Sequence, residues 1–136
     1  MSIDRQLADF EGQWQVERTI VQADGTRGRF VGTVRFTPQG PGTLAYREEG
    51  TITLGTGPAL QTGRSYIWKE GLHVLFDDGR PFRRIPAQGG TSIHICPPDT
   101  YKVGYDFSRW PEWTATWDVS GPRKSYRTVS TCWPEI

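Results

Sequence analysis

The sequence predicts an all-β, antiparallel, up-and-down barrel of about ten strands with a short N-terminal helix, and three observations point there. Apolar and polar residues alternate through much of the chain, as in Trp14-Gln15-Val16-Glu17-Arg18-Thr19-Ile20, which is the period of a strand with one buried face. The 16 glycines and 10 prolines fall mostly between such runs, where turns belong. No internal helical pattern is available for a parallel crossover, so short turns must join neighbouring antiparallel strands.

Taken in order, Ser2 to Glu11 carries the only helical pattern, with Ser2 as N-cap and Ile3, Leu7 and Phe10 on one face. It is short enough to plug one end of the sheet, and Gly12 stops it. The first strand is expected over Gln13–Ala23, and Asp24-Gly25 is a hairpin turn into a second over Gly28–Thr37. After the Pro38–Gly42 loop, a third runs over Thr43–Leu54 and is broken by Gly55-Thr56-Gly57-Pro58. Tyr66 and Trp68 mark the fourth; Leu72, Val74 and Phe76 mark the fifth. Pro81 to Pro86 makes a sixth whose two prolines suit an edge or an irregular strand. The seventh covers Thr91–Cys96, the eighth aligns Tyr101, Val103, Tyr105 and Phe107, and the ninth aligns Trp113, Ala115, Trp117 and Val119. Gly121-Pro122 turns into the tenth, from Lys124 to about Cys132. So many twisted strands tend to close, which also removes exposed edges.

The 136 residues suit a single domain, 1–136, with a core of its own. Sixteen basic and fifteen acidic residues give a net charge of +1, which offers no electrostatic case for nucleic acid or an anionic membrane. Aromatic residues make up 12% of the chain, enough ring area to bury that disorder is not expected. The N-terminus lacks the apolar stretch of a signal peptide, and Cys96 and Cys132 are too few for a disulfide framework. A cytoplasmic protein with reduced thiols is the expectation.

Charged residues share faces with large apolar ones. Alternation puts Arg18 with Trp14, Val16 and Ile20, puts Glu48 with Leu44 and Tyr46, and puts Lys124 with Tyr126 and Thr128. Charges pointing into a core must pair or meet a polar occupant, because stripping them of water costs several kcal/mol. Arg18, Glu48 and Lys124 therefore read either as a buried ion-pair network that fixes strand register or as an anchor for a carboxylate or phosphate group. The densest chemistry is His94-x-Cys96-x-x-Asp99-x-Tyr101. It is open to three readings: a polar ligand cluster, a hydrogen-bonded turn, or a metal site that lacks a fourth ligand. A Cys96 nucleophile with His94 as base would need both groups to act from one strand. Ile93 and Ile95 take the face opposite His94; the following Asp99 and Tyr101 favour His94 and Cys96 inward. Asp78-Gly79-Arg80 reads as a hairpin with a surface charge pair, and Arg83-Arg84 as a solvated strand end. Trp110-Pro111-Glu112-Trp113 is either a lid at the mouth or a loop packed on the rim.

The opening Phe10-Glu11-Gly12-Gln13-Trp14 resembles the Gly-x-Trp start of lipocalins and the wider calycin group. The resemblance implies a helical turn before the first strand and a Trp closing one end beneath a basic residue from the last strand, here Arg123, Lys124 or Arg127. Nearly the whole chain resembles a family of bacterial and fungal calycin-like proteins of unknown function. The motifs that carry this likeness are Gly32-Thr33-Val34-Arg35-Phe36, Tyr46-Arg47-Glu48-Glu49-Gly50, Asp78-Gly79-Arg80-Pro81-Phe82, His94 to Tyr101, and Trp117 to Lys124. Related haem-binding barrels of the nitrobindin type place an axial His near the C-terminal strand. This chain has only His73 and His94, so no haem and no other cofactor is expected.

The function expected is binding of a small, partly polar molecule inside the barrel. Tyr46, Tyr66, Trp68, Tyr101, Tyr105, Trp117 and Tyr126 would form walls, Arg18, Glu48, His94 and Lys124 would set orientation, and Cys96 would join the site beside His94. The alternatives are an enzyme using His94 or Glu48 as acid–base and a filled barrel that binds a protein partner. The partner expected is a small-molecule ligand, without nucleic acid or membrane, and a homodimer stays open.

Overall fold

A computed structural model describes residues 4–135. Leu7–Phe10 form one turn of 3₁₀ helix, capped by reciprocal hydrogen bonds between Gln6 and Asp9. In that tighter turn residues three apart lie one above the other, so Leu7 and Phe10 are both buried. The expected N-cap Ser2 and the apolar Ile3 lie outside the described residues. Gly12, at φ +121°, ends the turn in a conformation that favours glycine.

Ten strands follow: β1 (Gly12–Gln22), β2 (Arg27–Pro38), β3 (Thr43–Leu54), β4 (Leu60–Lys69), β5 (His73–Phe76), β6 (Pro81–Arg84), β7 (Gly90–Cys96), β8 (Asp99–Arg109), β9 (Glu112–Ser120) and β10 (Ser125–Pro134). They form one antiparallel sheet in the order β6-β5-β4-β3-β2-β1-β10-β9-β8-β7. β1 pairs with both β2 and β10, with Trp14 opposite Val34 and Pro134. The sheet curls until β6 and β7 face each other, without a hydrogen-bonded ladder between them. Side chains bridge this seam. Phe82 of β6 lies 5.2 Å from the His94 ring and 5.6 Å from the Tyr101 ring.

Curvature is built in where β2 meets β3. Gly32 opposes Gly50, and a Cβ on Gly50 would come within 2.4 Å of the Val31 carbonyl and 2.6 Å of the Phe30 ring. Only glycine lets these backbones come so close.

The core gathers at one end. Phe10 contacts Phe36, Trp68, Phe107, Trp110 and Trp113 at centroid distances of 5.1–5.8 Å. Trp14 donates its indole N–H to the Phe10 carbonyl at 2.8 Å. Trp110 and Trp113 thus belong to this plug rather than to a lid at the mouth. The cation of the plug is Arg5, 4.5 Å above Trp110, and not Arg123, Lys124 or Arg127; Arg127 instead pairs with Asp118 on the exposed surface. Among the described residues, no helix is long and apolar enough to cross a membrane.

Candidate functional site

β1 runs from the plugged end, at Trp14, past Arg18 to Ile20 and Gln22 at the other end. There a cavity of about 250 Å³ opens, walled by Ile20, Phe30, Ile52 and Leu54, with Gln22, Thr62, Tyr126 and Thr128 as polar neighbours. Arg18, Glu48 and Arg64 also line it. Beyond them, toward the plug, lies an inner chamber of about 30 Å³.

Glu48 is the centre of the polar layer and is 2% exposed. Arg18 grips it with both terminal nitrogens, at 3.0 and 2.5 Å, and donates its Nε to Ser130 at 2.6 Å. Tyr46 O–H reaches Glu48 Oε1 at 2.9 Å, and Arg64 Nε reaches Oε2 at 2.9 Å. Each carboxylate oxygen therefore accepts two hydrogen bonds. Burial pushes the Glu48 carboxyl up, but the Arg18 hydrogen bond, the Arg64 and Arg18 charges and the Tyr46 hydroxyl outweigh it and hold it below its usual range. Burial beside Glu48 raises the Tyr46 hydroxyl well above its ordinary value. The Arg18 guanidinium also rests on the Phe30 ring at 4.9 Å, and Phe30 is the ring that Gly50 leaves room for.

Alternation brings Arg18 and Glu48 together inside, as expected from their faces. Lys124 is a correction. It precedes β10, in a turn where alternation no longer applies, and its side chain is 49% exposed, 3.5 Å from Asp99 and 3.3 Å from the Tyr101 hydroxyl. The place assigned to it belongs to Arg64, on the inward face of β4 with Tyr66 and Trp68. The same alternation points to it, since Arg64, Tyr66 and Trp68 are two apart.

Arg83 is the second correction. Arg84 is a solvated strand end, but Arg83 turns inward. Opposite Val74 and Leu75 the ladder skips Phe82; such a bulge lets two successive residues point the same way. Both Phe82 and Arg83 therefore enter the barrel. The Arg83 guanidinium lies 4.6 Å from the Phe82 ring and 4.7 Å from Trp117, and its Nη2 donates to the Tyr105 hydroxyl. Arg64 stacks on Trp117 too, at 4.9 Å.

On β7, Ser92, His94 and Cys96 take the more buried face, while Ile93 and Ile95 are 66% and 67% exposed. Burial, then the Arg83 charge, lower the His94 pKa, which keeps the imidazole neutral near pH 7. Tyr66, Trp68, Tyr105 and Trp117 line the inner chamber, Tyr126 lines the mouth, and Tyr101 packs edge-on against Trp117 at 6.0 Å. Among the described residues no group of three His, Cys, Asp or Glu could hold a metal ion.

Three guanidiniums, from Arg18, Arg64 and Arg83, and the single carboxylate of Glu48 line the two cavities. The interior is thus electropositive.

Residues 10–133 match the sequence profile of a family described as of unknown function, DUF6314. No curated protein matches the chain. Among solved structures, it is similar to the S-type phycobiliprotein lyase CPES of Guillardia theta, with 8% identity and a TM-score of 0.61 over 95% of this chain and 90% of that one. It is also similar to a redesigned β-barrel, mFAP0, bound to DFHBI, with 17% identity and a TM-score of 0.47 over 92% and 98% of the two chains. At 8% identity the likeness to the lyase is one of fold.

Proposed function

We propose that this chain, which belongs to the DUF6314 family, is a small-molecule-binding barrel whose ligand is a compact organic acid held in the mouth cavity. The observation that carries this reading is the floor of that cavity. Arg18 spends its charge on Glu48, whereas Arg64 gives Glu48 only its Nε. The terminal nitrogens of Arg64 have no hydrogen-bond partner among the described residues, and its side chain is 33% exposed. An arginine with free terminal nitrogens in the wall of a partly apolar cavity suits a carboxylate with an apolar body. The volume of about 250 Å³ favours a single-ring or short-chain acid, since ligand pockets usually run from about 300 to 1,000 Å³.

The saturated Glu48 argues against acid–base catalysis there: all four of its hydrogen-bonding positions are occupied. A barrel filled throughout is disfavoured by the open half above Arg18. The Gly12-x-Trp14 opening behind a helical turn supports kinship with calycin barrels. The near-neutral charge and two free cysteines support action in the cytoplasm without nucleic acid or membrane.

Native mass spectrometry of protein purified without added ligand, followed by calorimetric titration with benzoate and hexanoate against benzylamine and hexylamine, tests the reading. The acids should bind and the amines should not. Arg64→Met should weaken acid binding about ten- to hundredfold, the worth of one charge-assisted contact. Equal affinity for acids and amines, with no carried-over mass, would overturn it.

A further inference from the structure

The mouth ligand leaves the inner chamber unexplained. Four buried side-chain donor atoms have no hydrogen-bond partner among the described residues: Trp68 Nε1, Trp113 Nε1, and Nε and Nη1 of Arg83. All of them belong to side chains that line the same 30 Å³ chamber. An indole or guanidinium N–H can only donate, and an unmet buried donor costs about 1–3 kcal/mol. The group that meets these donors must be an acceptor. It must also be small, because 30 Å³ is roughly the volume of one water molecule.

Charge selects among small acceptors. Among the described residues Arg83 has no carboxylate partner, and its hydrogen bond goes to the Tyr105 hydroxyl. The other arginines of the chamber, Arg18 and Arg64, have the Glu48 carboxylate beside them as a counter-charge. A neutral water would satisfy one or two donors and leave the guanidinium charge in place.

We infer that the inner chamber is a site for one compact anion, held by Arg83 together with the indole N–H groups of Trp68 and Trp113. The anion is a free halide or the carboxylate tip of an acid. The site is separate from the mouth cavity: only Arg18 and Arg64 line both. The break in the wall nearest to it is the β6–β7 seam, since Arg83 belongs to β6 and lies against Phe82. His94 reports on it, because the Arg83 charge helps depress its pKa and an anion beside Arg83 would relieve that repulsion.

The test is chloride-35 NMR line broadening on the full chain, with sodium gluconate keeping ionic strength constant and sodium formate as competitor. Saturable broadening that formate displaces, lost in Arg83→Met, is the expected result. Broadening by chloride that formate leaves untouched means a halide site. Saturable thermal stabilisation by formate without chloride broadening, lost in Arg83→Met, assigns the site to a carboxylate tip. The double variant Trp68→Phe, Trp113→Phe keeps the rings and removes two donors; it should weaken binding at least tenfold and serves if Arg83→Met does not fold. In the parent, the His94 pKa should rise on adding formate. Effects that grow linearly with either salt and persist in both variants would overturn the site and leave water as the acceptor. Because Arg83 lines the chamber and not the mouth, benzoate affinity should survive Arg83→Met while chloride broadening is lost, so either site can fail alone.

Discussion

At the scale of single residues, the buried carboxylate decides most. Glu48 takes four hydrogen bonds from three side chains, so removing Arg18 leaves a buried anion with half its hydrogen bonds. Breaking such a pair costs about 3–5 kcal/mol, and Arg18→Met should lower the melting temperature by roughly 10 °C or more. Arg64→Met should cost much less, because Arg64 is a third exposed; a comparable loss would mean that Arg64 is structural. The pH dependence has a definite sign. Glu48 is held below its ordinary value of 4.5, so its contribution is complete above that pH and is lost as pH falls through the lower folded value. Melting curves of the parent and Glu48→Gln should therefore differ most near neutrality and converge in acid; a constant gap would contradict the ion-pair account. Arg18 and Glu48 were legible because both sit mid-strand, where alternation holds. Arg64 obeys the same rule through Tyr66 and Trp68, and went unnoticed because a Gly and a Thr precede it where large apolar residues would mark a strand.

At the scale of elements, the weak wall is the seam between β6 and β7. Backbone hydrogen bonds hold every other neighbouring pair, while here Phe82 fills the join against His94, Tyr101 and Trp117. Phe82→Ala should cost about 3–5 kcal/mol and speed amide exchange in β6 and β7 far more than in β1 and β2. Uniform acceleration would show that the seam does not open by itself. Strand boundaries were readable to within a residue or two where Gly, Pro and Asp-Gly punctuate the chain, and β3 occupies the expected Thr43–Leu54. Arg83 was hidden because a bulge suspends the period of two on which such reading depends. Lys124 escapes the period for the opposite reason: it lies one residue before β10 begins, in a turn. A glycine pair does comparable work on the far side. Gly50→Val would drive a side chain into Phe30 and the Val31 carbonyl, and through Phe30 should disturb Arg18.

At the scale of the whole molecule, the barrel is divided along its axis into an aromatic plug, a charged layer and an open mouth. Alternation indicated that the interior would be partly polar, but not which end would be open, because strand period says nothing about how rings settle together. The start of β1 and the end of β10 pair beside the plug, with Trp14 opposite Pro134 and the Glu135 N–H bonded to the Gln13 carbonyl. The turns after Gln22 and Leu54, by contrast, rise at the mouth. Fusion of a reporter domain at either flank should leave benzoate affinity unchanged, while the same insertion between Asp24 and Gly25 should reduce it, as titration calorimetry would show. Anchored to a solid support by either flank, the protein stands like a cup on its base. Every molecule in such a layer would present its opening to the bulk solution, so that a layer made this way orients its own cavities.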